Sequence, residues 1–450
     1  MLFWDICSTF AVEMNILALI KSAGVRNFAK LLSANVVAQV IGLIVYPILT
    51  RIYSPEDFGL LNLFLSISGV LVILSTAEYY NAIVLPKNDK EGKEVSYLCV
   101  SILLFVVGLT TLSVIFSTEI ASLFNTPALA DYYWLMPILV LVLGGWNILN
   151  YWYVRCAQYS SISRYQLSQS TFSATTKIGF GYFGVLQGGM IYSIVIAPAL
   201  SLILSLLSLF RKKMISCWSR PSWDNLKHVA YRYYKFPLYT LPRSFVNMVA
   251  GQLPVLLLTP LFGSQHVGWW SMALLLGFMP ISMITKSIYQ VLYQHTTDRV
   301  NNNQPIGVYF RRFTISVLLI GTPLFGILYW LLPDLTLLFL GEGWNETALY
   351  LRWMLPWLLS SILTSSTGFL ADIFFKQQIG FAFEMLTAVL RVIGVLLGVW
   401  KDNFTLSIVC YAVGSAMAVI AQYIWLITLI KKYDTQVSSL GFDKSGDNEI

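Results

Sequence analysis

Seven ionisable side chains lie inside stretches too apolar to face water: the bases Lys177, Arg243, Lys286 and Arg391 and the acids Glu78, Asp372 and Glu384. A basic group at the centre of a bilayer costs on the order of 2.5–3.5 kcal/mol on insertion scales, so each needs a protein partner, a watery cavity or an anionic ligand. The chemistry this pattern allows is ionic recognition. Lys177, Arg243 and Arg391 could give a cavity a positive potential that attracts an anionic ligand, with Arg adding a bidentate grip. If movement through such a cavity is coupled to an ion gradient, Glu384, then Asp372 and Glu78, are the groups able to take up H+ or Na+.

Helical spacing puts neighbours beside these groups. Lys177 shares a face with Ser170, Ser173 and Gly181; Arg391 with Glu384, Thr387 and Gly394; Arg243 with Asn247 and Ala250. Asn35, Gln39, Gly42 and Tyr46 line one face of the first apolar stretch, where Asn35 and Gln39 could hydrogen-bond sugars or serve as polar contacts between helices. Blander roles stand beside these. Lys286 can snorkel, Glu384 and Arg391 can neutralise each other two turns apart, and Glu78 can be an interfacial residue beside Tyr79 and Tyr80.

Bond-making chemistry has weak support. Glu56 and Asp57 form an acidic pair in an outer loop, but Ser54 as N-cap, Pro55 at the first helical position and two acids in the first turn are what a helix start prefers. No phosphate-binding or dinucleotide glycine pattern occurs, and no nucleophile stands beside a base and an orienting acid. The five cysteines and three histidines have no metal-ligand or paired spacing, so neither zinc, disulfides nor a cofactor is expected.

The elements that must position these groups are twelve apolar stretches, at 28–50, 59–85, 96–118, 133–154, 168–187, 189–210, 237–261, 266–292, 313–333, 351–375, 379–400 and 405–430. Most are near the ~20 residues a hydrocarbon core demands. With 57% hydrophobic and 11% charged residues, the chain lacks the polar surface of a soluble protein of its length. The expectation is an all-α integral membrane protein of about twelve transmembrane helices in two six-helix lobes. The loops that alternate in being rich and poor in Lys and Arg place both termini in the cytoplasm of a multi-pass protein. This explains the net charge of +7 as a topology and anionic-lipid signal, with no nucleic-acid partner.

The expected organisation is a cytoplasmic segment 1–27, a first lobe 28–210, a basic linker 211–236, a second lobe 237–430 and a polar tail 431–450, disordered from 434. Asp5 and Glu13 argue against a signal peptide, and Met14 opens a more usual start than Met1. The longest outer loop is expected between spans nine and ten, at about 17 residues. An offset of 209 residues aligns the halves, pairing Ile52 with Leu261, Tyr53 with Phe262 and Gly59 with Gly268. An even number of spans per half makes such a repeat parallel, and paired lobes of this kind enclose a midplane cavity open to alternate sides.

The run TRIYSPEDFGLLNLF at 50–64, followed by EYYNAIVLPK at 78–87 leading into a basic inner loop, resembles the polysaccharide transporter family, the O-antigen flippases of the MOP exporter superfamily. The resemblance implies a fold like that of MATE exporters in the bacterial inner membrane. It also implies flipping of undecaprenyl-diphosphate-linked oligosaccharide units for O-antigen or another surface polysaccharide such as capsule. The implied partners are that lipid-linked substrate, membrane lipids, a coupling ion (H+ or Na+) and other polysaccharide-assembly proteins. A multidrug efflux antiporter of the same superfamily is the runner-up, and a polyprenyl-phosphate-dependent glycosyltransferase or polymerase the third reading.

Overall fold

A computed structural model describes residues 23–211 and 222–446, with side chains of the first helix described from Val37 onward. The segment before Ala23, including the alternative start at Met14, the centre of the basic linker and the last four residues lie outside the described residues. Among the described residues the regular structure is helical. Helix α1 covers Ala23–Ile52, α2 Pro55–Leu74, α3 Asp89–Ser113, α4 Ser117–Leu123, α5 Ala128–Tyr133, α6 Met136–Arg155, α7 Tyr159–Tyr182 and α8 Leu186–Arg211. After the linker come α9 Trp223–Arg232, α10 Leu241–Phe262, α11 Ser264–Asn301, α12 Gly307–Leu340, α13 Asn345–Thr367, α14 Leu370–Ile373, α15 Gln377–Trp400 and α16 Phe404–Gly446.

Ten segments are long and apolar enough to cross a membrane. Two further helices stand where spans one and five are expected: α1, apolar over Val37–Ile52, and the 24-residue α7. The total is compatible with twelve. Helix α7 is too polar to register by hydropathy, yet six of its Ser and Thr hydroxyls donate to carbonyls inside the protein. Ser163, Ser168, Thr171, Thr175 and Thr176 donate to carbonyls three or four residues earlier, and Ser170 Oγ donates to Ala38 O of α1 at 2.8 Å. Back-bonding of this kind lets a Ser/Thr-rich helix sit among others away from water.

Several boundaries depart from expectation. The second span, expected over 59–85, ends as an α-helix at Leu74; Ala77 (φ 46°) and Glu78 (φ 61°) take left-handed backbone and a 3₁₀ segment Tyr79–Val84 follows. Neither residue is Gly or Asn, so nothing in the sequence signals the break. The expected loop of about 17 residues after span nine shrinks to Gly341–Trp344, because α12 continues through Pro333. Trp344 there is 1% exposed and meets Phe58 edge-on at 5.2 Å. The tail expected to be disordered from 434 is helical to Gly446. Its order has a local cause: the Asp434 carboxylate accepts the backbone N–H of Ile306 and of Gly307, both at 2.8 Å, closing the start of α12.

The chain divides into two compact units, one comprising Met1–Ile52, Ile67–Thr118 and Ala130–Phe245, the other Tyr53–Ser66, Glu119–Leu129 and Val246–Ile450. In the first, the 3₁₀ segment packs on α3 and α6 around Ala82, Ile83, Val95, Cys99 and Val140. Arg155 pins its end: Nη1 donates to Ile83 O (3.0 Å) and Pro86 O (2.7 Å), and Nη2 pairs with Asp89 at 2.9 Å. In the second unit, α13 packs against α11, α12 and α16, and α15 lies along α16. At Gly394 and Gly398 an added Cβ would run into backbone atoms of Cys410–Tyr411 and Ser407, so the close approach of these two helices needs glycine.

Candidate functional site: buried charges of each unit

In the second unit, Arg391 is held deep in α15, about 21 Å along the axis from Gln377 and about 14 Å from Trp400. Its guanidinium lies 5.2 Å from the ring centres of both Trp357 (α13) and Tyr411 (α16), and Nε donates to Ser415 Oγ at 3.0 Å. The cradle is rigid. Trp357 is 4%, Tyr411 2% and Ser415 0% exposed, the two rings meet edge-on at 5.7 Å, and buried Trp270 braces Tyr411 at 5.4 Å. Two aromatic faces and a hydroxyl stabilise a guanidinium without cancelling its charge, a cation–π contact being worth about 0.5–2 kcal/mol. These partners of Arg391 come from other helices, α13 and α16.

Glu384 is exposed, one face with Arg391 but two turns nearer the start of α15. Asp372 is exposed too and belongs to the separate short helix α14.

In the first unit, Lys177 is half-buried on α7. Expected near mid-span, it stands five residues, about 8 Å, before the helix ends at Tyr182, because α7 begins and ends earlier than hydropathy suggested. Its expected stripe is partly used for packing: Ser170 binds α1, and Gly181 is buried. Gln39 is half-buried on α1, which packs along α7; the side chain of Asn35 lies outside the described residues. Arg243 and Asn247 are both exposed on successive turns at the start of α10.

Glu78 is the acid the structure treats most unusually. It is 4% exposed in the left-handed break after α2, and its Oε2 accepts from Asn81 Nδ2 at 2.6 Å. Asp57, by contrast, is committed to structure: Oδ2 accepts from Ser54 N (2.8 Å) and Ser54 Oγ (2.9 Å) while Asp57 N donates to Ser54 Oγ (3.2 Å). This reciprocal cap gives Asp57 a structural role at the start of α2.

Trp357, Tyr411 and Ser415 escaped sequence reasoning because they stand 34 residues before and 20 and 24 residues after Arg391 and read as ordinary core residues. The one available signal was Arg391 itself: an embedded base implies partners, and aromatic rings are the partners that leave its charge intact.

The long apolar helices among the described residues mark an integral membrane protein, and known structures share the fold. The chain overlays an inward-facing multidrug resistance MATE family transporter of the MOP superfamily with a TM-score of 0.70 at 15% identity, covering 88% of this chain and 96% of that one. It overlays the lipid II flippase MurJ, in an inward closed conformation, with a TM-score of 0.66 at 14% identity, covering 93% and 92%. Comparison with curated protein sequences gives no match. The family model for polysaccharide biosynthesis proteins matches residues 48–349, and the chain belongs to that family.

Proposed function

We propose that this protein flips undecaprenyl-diphosphate-linked oligosaccharide units across the bacterial inner membrane by alternating access, for O-antigen or another surface polysaccharide. Membership of the polysaccharide biosynthesis family supports this pathway, and the fold shared with a MATE transporter and the flippase MurJ supports a carrier. The observation that carries the reading is Arg391, a guanidinium deep in a spanning helix whose neighbours stabilise it without neutralising it. A diphosphate is the anion such a group suits, since Arg can offer paired N–H donors. Lys177 and Arg243 are proposed to add positive charge along the path of the head group, with Gln39, Asn35 and Asn247 meeting sugar hydroxyls, while the prenyl tail stays in lipid. Glu78, Glu384 and Asp372 are the candidates for coupling to H+ or Na+, and other polysaccharide-assembly proteins are the proposed partners on either side. Both termini are proposed to be cytoplasmic.

The test is the leaflet distribution of the lipid-linked oligosaccharide after deletion of the gene, read with a sugar-specific label on intact spheroplasts and inverted vesicles. Complete units accumulating on the cytoplasmic face support flipping. Incomplete units, or complete units waiting outside, point to a transferase or polymerase, and unchanged lipid intermediates point to drug efflux.

A further inference from the structure

Helix α9 has two faces of opposite character. Toward the first unit it is fully engaged. Val229 is 0% exposed, Asn225 Nδ2 donates to Glu94 at 3.0 Å, Arg232 pairs with Glu91 at 2.8 Å, and Ala230 O accepts from Tyr79 Oη at 3.0 Å. Tyr233 Oη adds a bond to Glu91 at 3.1 Å, and burial together with that bond holds the phenol above its usual pKa range. Ser222 caps the first turn through Asn225 N.

The opposite face carries Trp223, Lys227 and Tyr231, each four residues from the next, and all are exposed, Trp223 by 68% and Tyr231 by 82%. Lys227 Nζ lies 5.9 Å from the Trp223 ring centre, and Tyr231 stacks on Tyr234 at 6.0 Å. Lys235 is exposed just beyond. Wide exposure of three rings to water is unfavourable, and Trp, Tyr and Lys together are the side chains that suit a membrane–water boundary, with apolar bodies and polar tips.

Chain geometry puts that boundary within reach. The spanning segment Phe236–Phe262 starts four residues after α9 ends at Arg232, and four residues reach at most about 14 Å. Its first turns continue the same surface with Leu238 (52% exposed) and Tyr239 (64%). Charge selects the lipid. From Arg211 to Lys235 the sequence holds Arg211, Lys212, Lys213, Arg220, Lys227, Arg232 and Lys235 against the single acid Asp224.

We propose that α9 lies in the headgroup layer and binds anionic phospholipid through Trp223, Lys227, Tyr231 and Lys235, with lipid phosphates on the two lysines and the rings at the acyl boundary. The helix is thereby clamped from both sides, by Glu91, Glu94 and Tyr79 on one and by lipid on the other. This role is independent of the proposed substrate, because the ligand is the bulk lipid of the leaflet.

The experiment uses the full chain with its native cysteines replaced and Tyr231→Cys carrying a fluorophore, in nanodiscs of phosphatidylcholine alone or mixed with phosphatidylglycerol, and in detergent. Protection of the label from an aqueous quencher only where phosphatidylglycerol is present, reversed by high salt, supports the proposal. Lys227→Gln with Lys235→Gln should then shift the ratio of docked to free helix by about thirtyfold, from about 1 kcal/mol per lysine near an anionic surface. Both lysines are exposed, so these variants should purify normally. Equal quenching in all three environments overturns the proposal by showing a solvated face. Equal protection in all three overturns it as well, since protein and not lipid then covers the helix.

Discussion

Gly59 and Gly268 meet across one helix crossing in a reciprocal way: a Cβ on Gly59 would overlap the carbonyl oxygen of Ser264, and a Cβ on Gly268 would overlap that of Pro55. Both pairs are related by the 209-residue offset of the internal repeat, Gly59 to Gly268 and Pro55 to Ser264. The starts of α2 and α11 therefore cross as equivalent pieces, each supplying the glycine that admits the other's backbone.

Alanine at either glycine must push two backbones apart. Gly59→Ala and Gly268→Ala should each lower stability by about 1–3 kcal/mol or more, and the double variant by less than the sum because the first substitution already opens the crossing. Gly108→Ala and Gly326→Ala, where an added Cβ meets nothing within 4 Å, are the controls and should change little. Thermal unfolding of the purified protein in one lipid or detergent checks this.

The cradle of Arg391 should have separable parts. Arg391→Ala removes the charge and should abolish export; Arg391→Lys keeps the charge without the planar fork and should leave weak export. Ser415→Ala leaves the guanidinium between its rings and removes one charge-assisted hydrogen bond, about 1.5–3 kcal/mol, so it should reduce export without abolishing it. The readout is lipid-linked oligosaccharide held on the inner leaflet, normalised to protein level. Near-normal export by Arg391→Ala would remove this residue from the substrate path.

Asp434 should matter for folding well beyond its place near the end of the sequence. Its replacement by Ala leaves the N–H groups of Ile306 and Gly307 without their acceptor and should lower stability by about 1–2 kcal/mol. Truncation after Lys432 should do at least as much, whereas truncation after Gly446 should not. Melting temperatures of the three proteins decide it.

Asp57→Ala should lower stability by about 1 kcal/mol through loss of the cap, with export per folded molecule unchanged. Glu56→Gln, in an exposed first-turn position, should be close to silent. Loss of all polysaccharide output by a well-folded Asp57→Ala protein would revive the transferase reading.

Hydropathy and the placement of Lys and Arg made the membrane class and most helices legible, because both rest on the composition of long segments. What escaped rests on single residues or distant contacts. Ala77 and Glu78 break α2 with backbone angles their side chains disfavour, so a continuous apolar run to residue 85 concealed the turn. Lys177 was placed too centrally because Ser and Thr hydroxyls of α7 count as polar although several of them are satisfied by its own carbonyls and by α1. Arg391 was found from its burial alone, but its rings and hydroxyl come from two other helices and have no local signature.

Helix α16 runs 43 residues without interruption, about 65 Å, roughly twice the thickness of a hydrocarbon core. Its far end is therefore a stiff mast continuous with the second unit and braced by Asp434 where it passes the start of α12. A helical tag fused in frame after Ser439 would keep a fixed bearing to that unit, giving electron microscopy an alignment mark.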